Sequence, residues 1–341
     1  MRRPLASFFF GAGFRRHGVR TGTGVLAVAV AARTRCGSRP GWAEPGIPVT
    51  RSIARLLLCC ALVACGRPPA PPSAATPTAA TRPAQAVQLL SRHLRDNDLA
   101  AFARDGVPPA LHAQLETAWQ QGHTRWPLDE LPFDDRLPGL LSTLAAPGAE
   151  ASLQRGFDRQ FAGAGLQIRG AAASLGMFGA QYIQRQGDYS DDERQHYAQL
   201  IQAASRWGTR APLADRERAQ RAILELTAAA RRTGVASPAD FSRLGMDDSL
   251  RRMGAFARVF KQALASYGLD LDASLDAMRV SLQQQTGDTA RVRMQYPFAG
   301  QDIDTIVAVE RIDGHWYLSD YVHHATRAVA APSTADAAAS R

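Results

Sequence analysis

The sequence predicts an α+β protein: a mostly helical N-terminal and middle part, then a four-stranded antiparallel β-meander. Three observations carry this. Apolar residues recur at helical spacing between Ala84 and Tyr267, and the period switches to two after Gly268. Asp313-Gly314 then splits two alternating runs with a strong hairpin-turn signal. The helical region is bounded at 84–268 and the meander, packed on helices, at 269–325.

Val87, Leu90 and Leu94 form the first apolar stripe, Asp98 can cap a short following helix, and Pro108-Pro109 opens the next. Gly163–Gln184 carries five glycines and one charge, Arg169. Each glycine costs a helix about 1 kcal/mol, so close helix packing is favoured over a loop. A membrane-inserting hairpin is disfavoured because Gln167, Arg169 and Gln181 would need burial. Ser190 and Glu193 form a capping box ahead of the stripe Tyr197, Leu200, Ile201, Ala204 and Trp207. Ser237-Pro238-Ala239-Asp240 starts another helix. Leu250, Met253, Ala257, Phe260, Leu264 and Tyr267 line a longer one that Gly268 can end.

In the meander, Met278, Val280 and Leu282 alternate with Arg279, Ser281 and Gln283. A loop Thr286-Gly287-Asp288 sets Leu282 opposite Val292 and Val280 opposite Met294. A two-residue Gly-Asp turn would face Leu282 with Arg293 and is rejected. The second hairpin, Thr305–Ile312 to His315–Tyr321, turns on Asp313-Gly314 and puts Val307, Val309, Trp316 and Leu318 on one face.

Ahead of these elements, Leu56–Ala64 is a short apolar run behind Arg51 and Arg55, too short to span a bilayer. It ends in Leu62-Val63-Ala64-Cys65-Gly66, which resembles the lipobox of bacterial lipoproteins. The resemblance implies cleavage after Leu62-Val63-Ala64 and lipidation of Cys65. With Gly66 in place of an aspartate, it also implies the periplasmic side of the outer membrane. The leader is long for a signal peptide. A start at Val49 would make 49–64 the signal peptide and 1–48 an extension outside the mature protein. Residues 65–83 then read as the lipidated cysteine and a Pro/Ala-rich tether, reaching about 50 Å at ~3.1 Å per residue. Residues 326–341, rich in Ala and Ser, read as a disordered tail.

Of the 40 basic and 31 acidic residues, ten basic and one acidic precede Gly66, which leaves 30 of each. The mature part is neutral, and the case for nucleic acid disappears with the leader. All four cysteines, Cys36, Cys59, Cys60 and Cys65, lie in or before the lipobox. The mature domain therefore has no disulfide framework or thiol nucleophile.

Gly287-Asp288-Thr289-Ala290-Arg291-Val292 and Asp313-Gly314-His315-Trp316-Tyr317-Leu318 are similar to the closing strands of the nuclear-transport-factor-two-like (cystatin-like) fold. Ala86–Phe102 is similar to its first helix. That resemblance implies a curved sheet with a pocket between sheet and helices, where family enzymes place an Asp, His or Tyr. Tyr296, Tyr317, Asp320 and Tyr321 are the polar strand residues that could reach such a pocket. About 150 residues of helix separate the matching pieces, more than the fold normally carries.

The zinc-protease, serine-hydrolase, phosphate-loop and dinucleotide patterns are absent. Asp270–Asp276 lacks the glycine and the closing acid of a calcium loop, and Asp272 reads as a helix cap. His323 and His324 read as solvated residues after the last strand. Asp134, Asp135, Asp302 and Asp304 read as loop carboxylates. No catalytic residue, cofactor or metal ligand is assigned. Two function classes remain. The first is a membrane-anchored, non-enzymatic lipoprotein that binds an envelope protein or a hydrophobic ligand. The second is a small-molecule isomerase or dehydratase of the curved-sheet type.

Overall fold

The computed structural model describes residues 79–131, 136–185 and 189–330. Val49, the lipobox with Cys65, Asp134, Asp135 and residues 331–341 lie outside the described residues. The helical part comprises α1 (Pro83–Asp96), α2 (Leu99–Asp105), α3 (Pro109–Gln120), α4 (Leu137–Ala145), α5 (Ala149–Gln160) and α6 (Gly165–Gln184). It continues with α7 (Asp191–Gly208), α8 (Arg216–Thr233), α9 (Pro238–Leu244), α10 (Met246–Ser266) and α11 (Leu271–Asp276). Strands β1 (Arg279–Thr286), β2 (Thr289–Phe298), β3 (Gln301–Ile312) and β4 (His315–Leu318) follow, and α12 (Ser319–Ala330) closes the described chain. The α+β architecture is the one the change of period implies.

The sheet is antiparallel in the order β1-β2-β3-β4. Alternation places Val292, Met294, Tyr296, Ile303, Val307 and Val309 on one buried face. There they share an apolar core with Val87 and Leu90 of α1, Leu200 and Ile201 of α7, and Trp316 and Leu318 of β4. The opposite face is polar, with Arg293 bridging Asp304. A second core gathers Leu115, Trp119, Leu141, Ala230, Phe241 and Leu250 from α3, α4 and α8–α10. Helix α12 serves both, Tyr321 entering the first core and Ala325 the second.

The Asp98 and Ser190 side chains cap their helices, and at Ser237 the Asp240 carboxylate accepts from the Ser237 N–H and hydroxyl. Gly268, at φ 85°, follows the end of α10. The chain's one lysine, Lys261, is buried on α10. Its Nζ donates to the carbonyls of Leu94 (2.9 Å) and Arg95 (3.0 Å) and to the carboxylate of Asp272. The end of α1 is thereby satisfied by a distant helix. Gly254 permits a further close approach, because a Cβ there would lie 2.1 Å from the backbone oxygen of Asn97.

Several sequence expectations are corrected. Gly287-Asp288 is a two-residue turn between Thr286 and Thr289, with Gly287 at φ 58°. A β-bulge between Leu282 and Gln284 absorbs the odd residue, so Leu282 still faces Val292 and Val280 still faces Met294. The apolar register survived and the loop length did not. Strand β4 stops at Leu318, so Asp320 and Tyr321 are helical, and α12 occupies 326–330 of the expected tail. Tyr321, Ala325 and Val329 recur at four-residue spacing, and that helical signal prevails over a short alternation. Asp302 and Asp304 lie on β3 instead of in a loop. Asp270, not Asp272, caps α11, accepting from the Ala273 N–H. Phe260 is half exposed, and Phe256, one turn earlier, is the buried aromatic.

Candidate functional site

Two places on this scaffold gather chemistry or unused binding capacity. The first is a buried acid–histidine group on the seam between the two cores. A 3-10 turn, Leu128–Glu130, brings in Glu130; the capping box at the start of α7 brings in Glu193; α12 brings in His324. His324 Nδ1 lies 3.4 Å from Glu130 Oε2 and Nε2 lies 3.8 Å from Glu193 Oε1. The His324 and Glu130 side chains are each 3% exposed. This overturns the expectation of solvated histidines: His323 is exposed, but His324 faces inward one helical turn after Asp320.

Burial pushes the Glu193 carboxyl up to about 7, and repulsion from Asp320 adds to the shift. For His324, burial disfavours the charge, but Glu130 and then Glu193 and Asp320 outweigh it and hold its pKa above the ordinary value. Burial likewise raises Asp320 and drives the Tyr197 and Tyr321 phenols well above their usual range. Chemically, the group sets His324 3.4 Å from Glu130, beside a carboxyl that titrates near neutrality. Such a carboxyl can hold or release a proton at ordinary pH.

Next to it, His196 Nε2 and Tyr296 Oη are 2.6 Å apart, both buried. Burial alone pulls His196 down to about 4, so this imidazole is neutral at pH 7. Of the four polar residues singled out from the sequence, the fold thus brings Asp320 and Tyr321 to the acid–histidine group and Tyr296 to His196. Tyr317 is buried on β4. Glu130, Glu193 and His324 were missed. Glu193 already had a structural explanation as a cap, and no local spacing links residues 130, 193 and 324.

The second place is the outer edge of the sheet. Among the described residues no strand pairs with β1 on its outer side, and β1 is exposed along nearly its whole length, Leu282 being 47% exposed. Beside it lies a hollow of about 480 Å³ lined by Ser91, Arg92, Arg95, Leu275, Met278 and Val280. The sheet's other edge is treated differently, since β4 is met by the incoming chain and the Trp316 N–H donates to the Ala80 carbonyl at 2.8 Å. From Ser281 to Thr286, β1 carries no charge, so the usual electrostatic guard of a free edge is missing.

Among the described residues, no cluster of three His, Cys, Asp or Glu could hold a metal ion, and no helix is long and apolar enough to cross a membrane. No protein-family model, no curated protein and no solved structure matches the chain.

Proposed function

We propose that this chain is an envelope lipoprotein, anchored through Cys65 on the periplasmic side of the outer membrane. Its non-enzymatic globular part binds a partner protein along β1. The Leu62–Cys65 lipobox and the tether behind it support the anchor. The observation that carries the binding role is the asymmetry of the sheet: one edge met by Ala80, the other exposed, without charge from Ser281 to Thr286, and bordered by a hollow of mixed lining that includes Leu275, Met278 and Val280. An extended segment of a partner can add to such an edge through main-chain hydrogen bonds, with Leu282 and the hollow selecting its side chains.

Two measurements test the two halves. Cys65→Ala should abolish fatty-acid labelling and leave uncleaved or soluble protein; labelled, membrane-bound Cys65→Ala protein refutes the anchor. A photo-crosslinking residue at Ser281 or Gln283 should capture a defined envelope protein, and the same probe at Ala308 in the sheet interior should not. Equal capture from all three positions refutes β1 as the binding edge.

The acid–histidine group favours a second reading, a small-molecule enzyme of the curved-sheet type, because Glu193 titrates near neutrality beside His324. The non-enzymatic reading ranks first because His324 and Glu130 are buried from solvent, each side chain being 3% exposed. Trp316 also backs onto a filled apolar core.

A further inference from the structure

Helix α6 stands apart from the other helices in what it leaves uncovered. Leu166 is 74% exposed, Met177 65%, Phe178 53% and Leu175 46%, so four of the eight large apolar side chains most open to solvent sit on this one helix. The cause is its mode of packing. A Cβ at Gly176 would lie 2.3 Å from Ser205 Oγ, and one at Gly208 would lie 2.9 Å from the Ala172 Cβ, so α6 rests on α7 through its smallest residues. Ser205 Oγ seals the contact by donating to the Ala172 carbonyl at 2.8 Å. The expectation of close glycine packing is met at Gly176, whereas Gly163 and Gly170 face open space, and the large residues of α6 point away from that contact.

We propose that the outward side of α6 docks on the surface of an anionic lipid bilayer. Charge selects this occupant. From residue 159 to residue 185 the chain carries Arg159, Arg169 and Arg185 and no carboxylate. All three arginines are exposed, one before α6, one on it and one at its end. The next carboxylates along the chain are Asp158, paired with Arg216 at 2.9 Å, and Asp188, which lies outside the described residues.

The remaining polar side chains on the outward side, Gln167, Ser174, Gln181 and Gln184, are uncharged and exposed. They can stay hydrogen-bonded at headgroup depth while Leu166, Met177 and Phe178 enter the acyl boundary. A spanning helix does not tolerate that arrangement, because the amides would lose their hydrogen bonds in the acyl core. The proposal rests on the lipid-anchored reading in one respect. With Cys65 in the bilayer, the roughly 14 residues up to the described domain reach about 45 Å, at ~3.1 Å per residue. A weak surface affinity therefore suffices.

The test uses the full chain carrying Cys65→Ala, which removes any lipid anchor from the comparison. Flotation is measured with phosphatidylcholine vesicles and with vesicles containing phosphatidylglycerol. Each is run for that parent and for two further variants, Met177→Gln with Phe178→Gln, and Arg169→Gln; the leader is identical in all three. The parent should bind the anionic vesicles more strongly and lose binding as salt rises. The double variant should partition at least about tenfold less. Arg169→Gln should partition about fivefold less, as expected for one charge near an anionic surface. Thermal melts confirm that the variants fold, because both sites face solvent. Parent-like binding by the double variant, or equal salt-independent binding to both vesicle types, overturns the proposal. So does a loss of self-association in sedimentation with vesicle binding unchanged, which would assign the face to a second copy of the chain. Absence of fatty acid on Cys65 in the native protein would refute the anchor alone and leaves the vesicle result standing.

Discussion

Lowering the pH from 7 to 4.5 sets two buried groups against each other, and single substitutions separate them. His196 falls from an ordinary 6.5 to about 4 in the folded protein. A folded pKa below the unfolded one contributes stability that is present above pH 6.5 and is lost as the pH falls toward 4. The span is about 2.5 units at ~1.36 kcal/mol each, about 3 kcal/mol in full and about 2 kcal/mol by pH 4.5. Glu193 has the opposite sign: its folded value, about 7, lies above the ordinary 4.5. Its contribution is complete below pH 4.5 and is lost as the pH rises through 7, so acidification restores about 2.5 kcal/mol. His324, raised by Glu130, Glu193 and Asp320, has the same sign as Glu193. The His196 and Glu193 terms taken alone nearly cancel, and His324 adds to the Glu193 side. Urea unfolding at the two pH values should show His196→Gln gaining about 2 kcal/mol at pH 4.5 relative to the parent's own change. Glu193→Gln, which keeps the capping box with Ser190, should lose about 2 kcal/mol. Carboxylates remote from the group titrate alike in all three proteins and drop out of the differences; Asp320 and His324, which interact with Glu193, contribute to its difference. Identical pH profiles for the parent and His196→Gln would refute a neutral buried imidazole at this position.

Trp316→Ala should cost about 3–5 kcal/mol in urea unfolding, because the indole is 3% exposed within the sheet core and carries Arg311 over its ring at 5.9 Å; a parent-like midpoint would show it lies outside the core. Gly254→Ala should destabilise by about 3 kcal/mol through forced overpacking, since the added Cβ meets the Asn97 backbone oxygen, which has no flexible end to yield; an unchanged midpoint would mean that α10 does not pass under the α1–α2 turn.

The parts of this fold legible in the sequence are those governed by neighbours within a few residues. Ser190 and Glu193 cap α7 because both partners of the box lie in one turn. Asp313 and Gly314, at φ 48° and 82°, close their hairpin because the turn geometry needs both residues in the left-handed region. The first hairpin shows where such reasoning stops. Facing Leu282 with Val292 was the right demand, but a longer loop and a bulge at Gln283 both meet it, and local patterning does not separate them. The acid–histidine group was illegible for a related reason. His324 reads as solvated until α12 turns it inward, and Glu130 and Glu193 arrive from elements 194 and 131 residues earlier in the chain.

The position of that group follows from the architecture. Helix α12 must offer an apolar side chain to each of two cores, and it does so with Tyr321 and Ala325, four residues apart. His324 stands beside the second of these and faces the seam, where the 3-10 turn of one core and α7 of the other converge. Apolar contact there would be non-directional, and α12 could settle by rotation into either core. The imidazole, held between Glu130 on one side and Glu193 on the other, engages both bodies from one side chain and fixes that rotation. Burying three ionisable groups is costly unless each is paired. The arrangement sets His324 between the two carboxyls across the seam, so this contact forms only when both cores and α12 are assembled together.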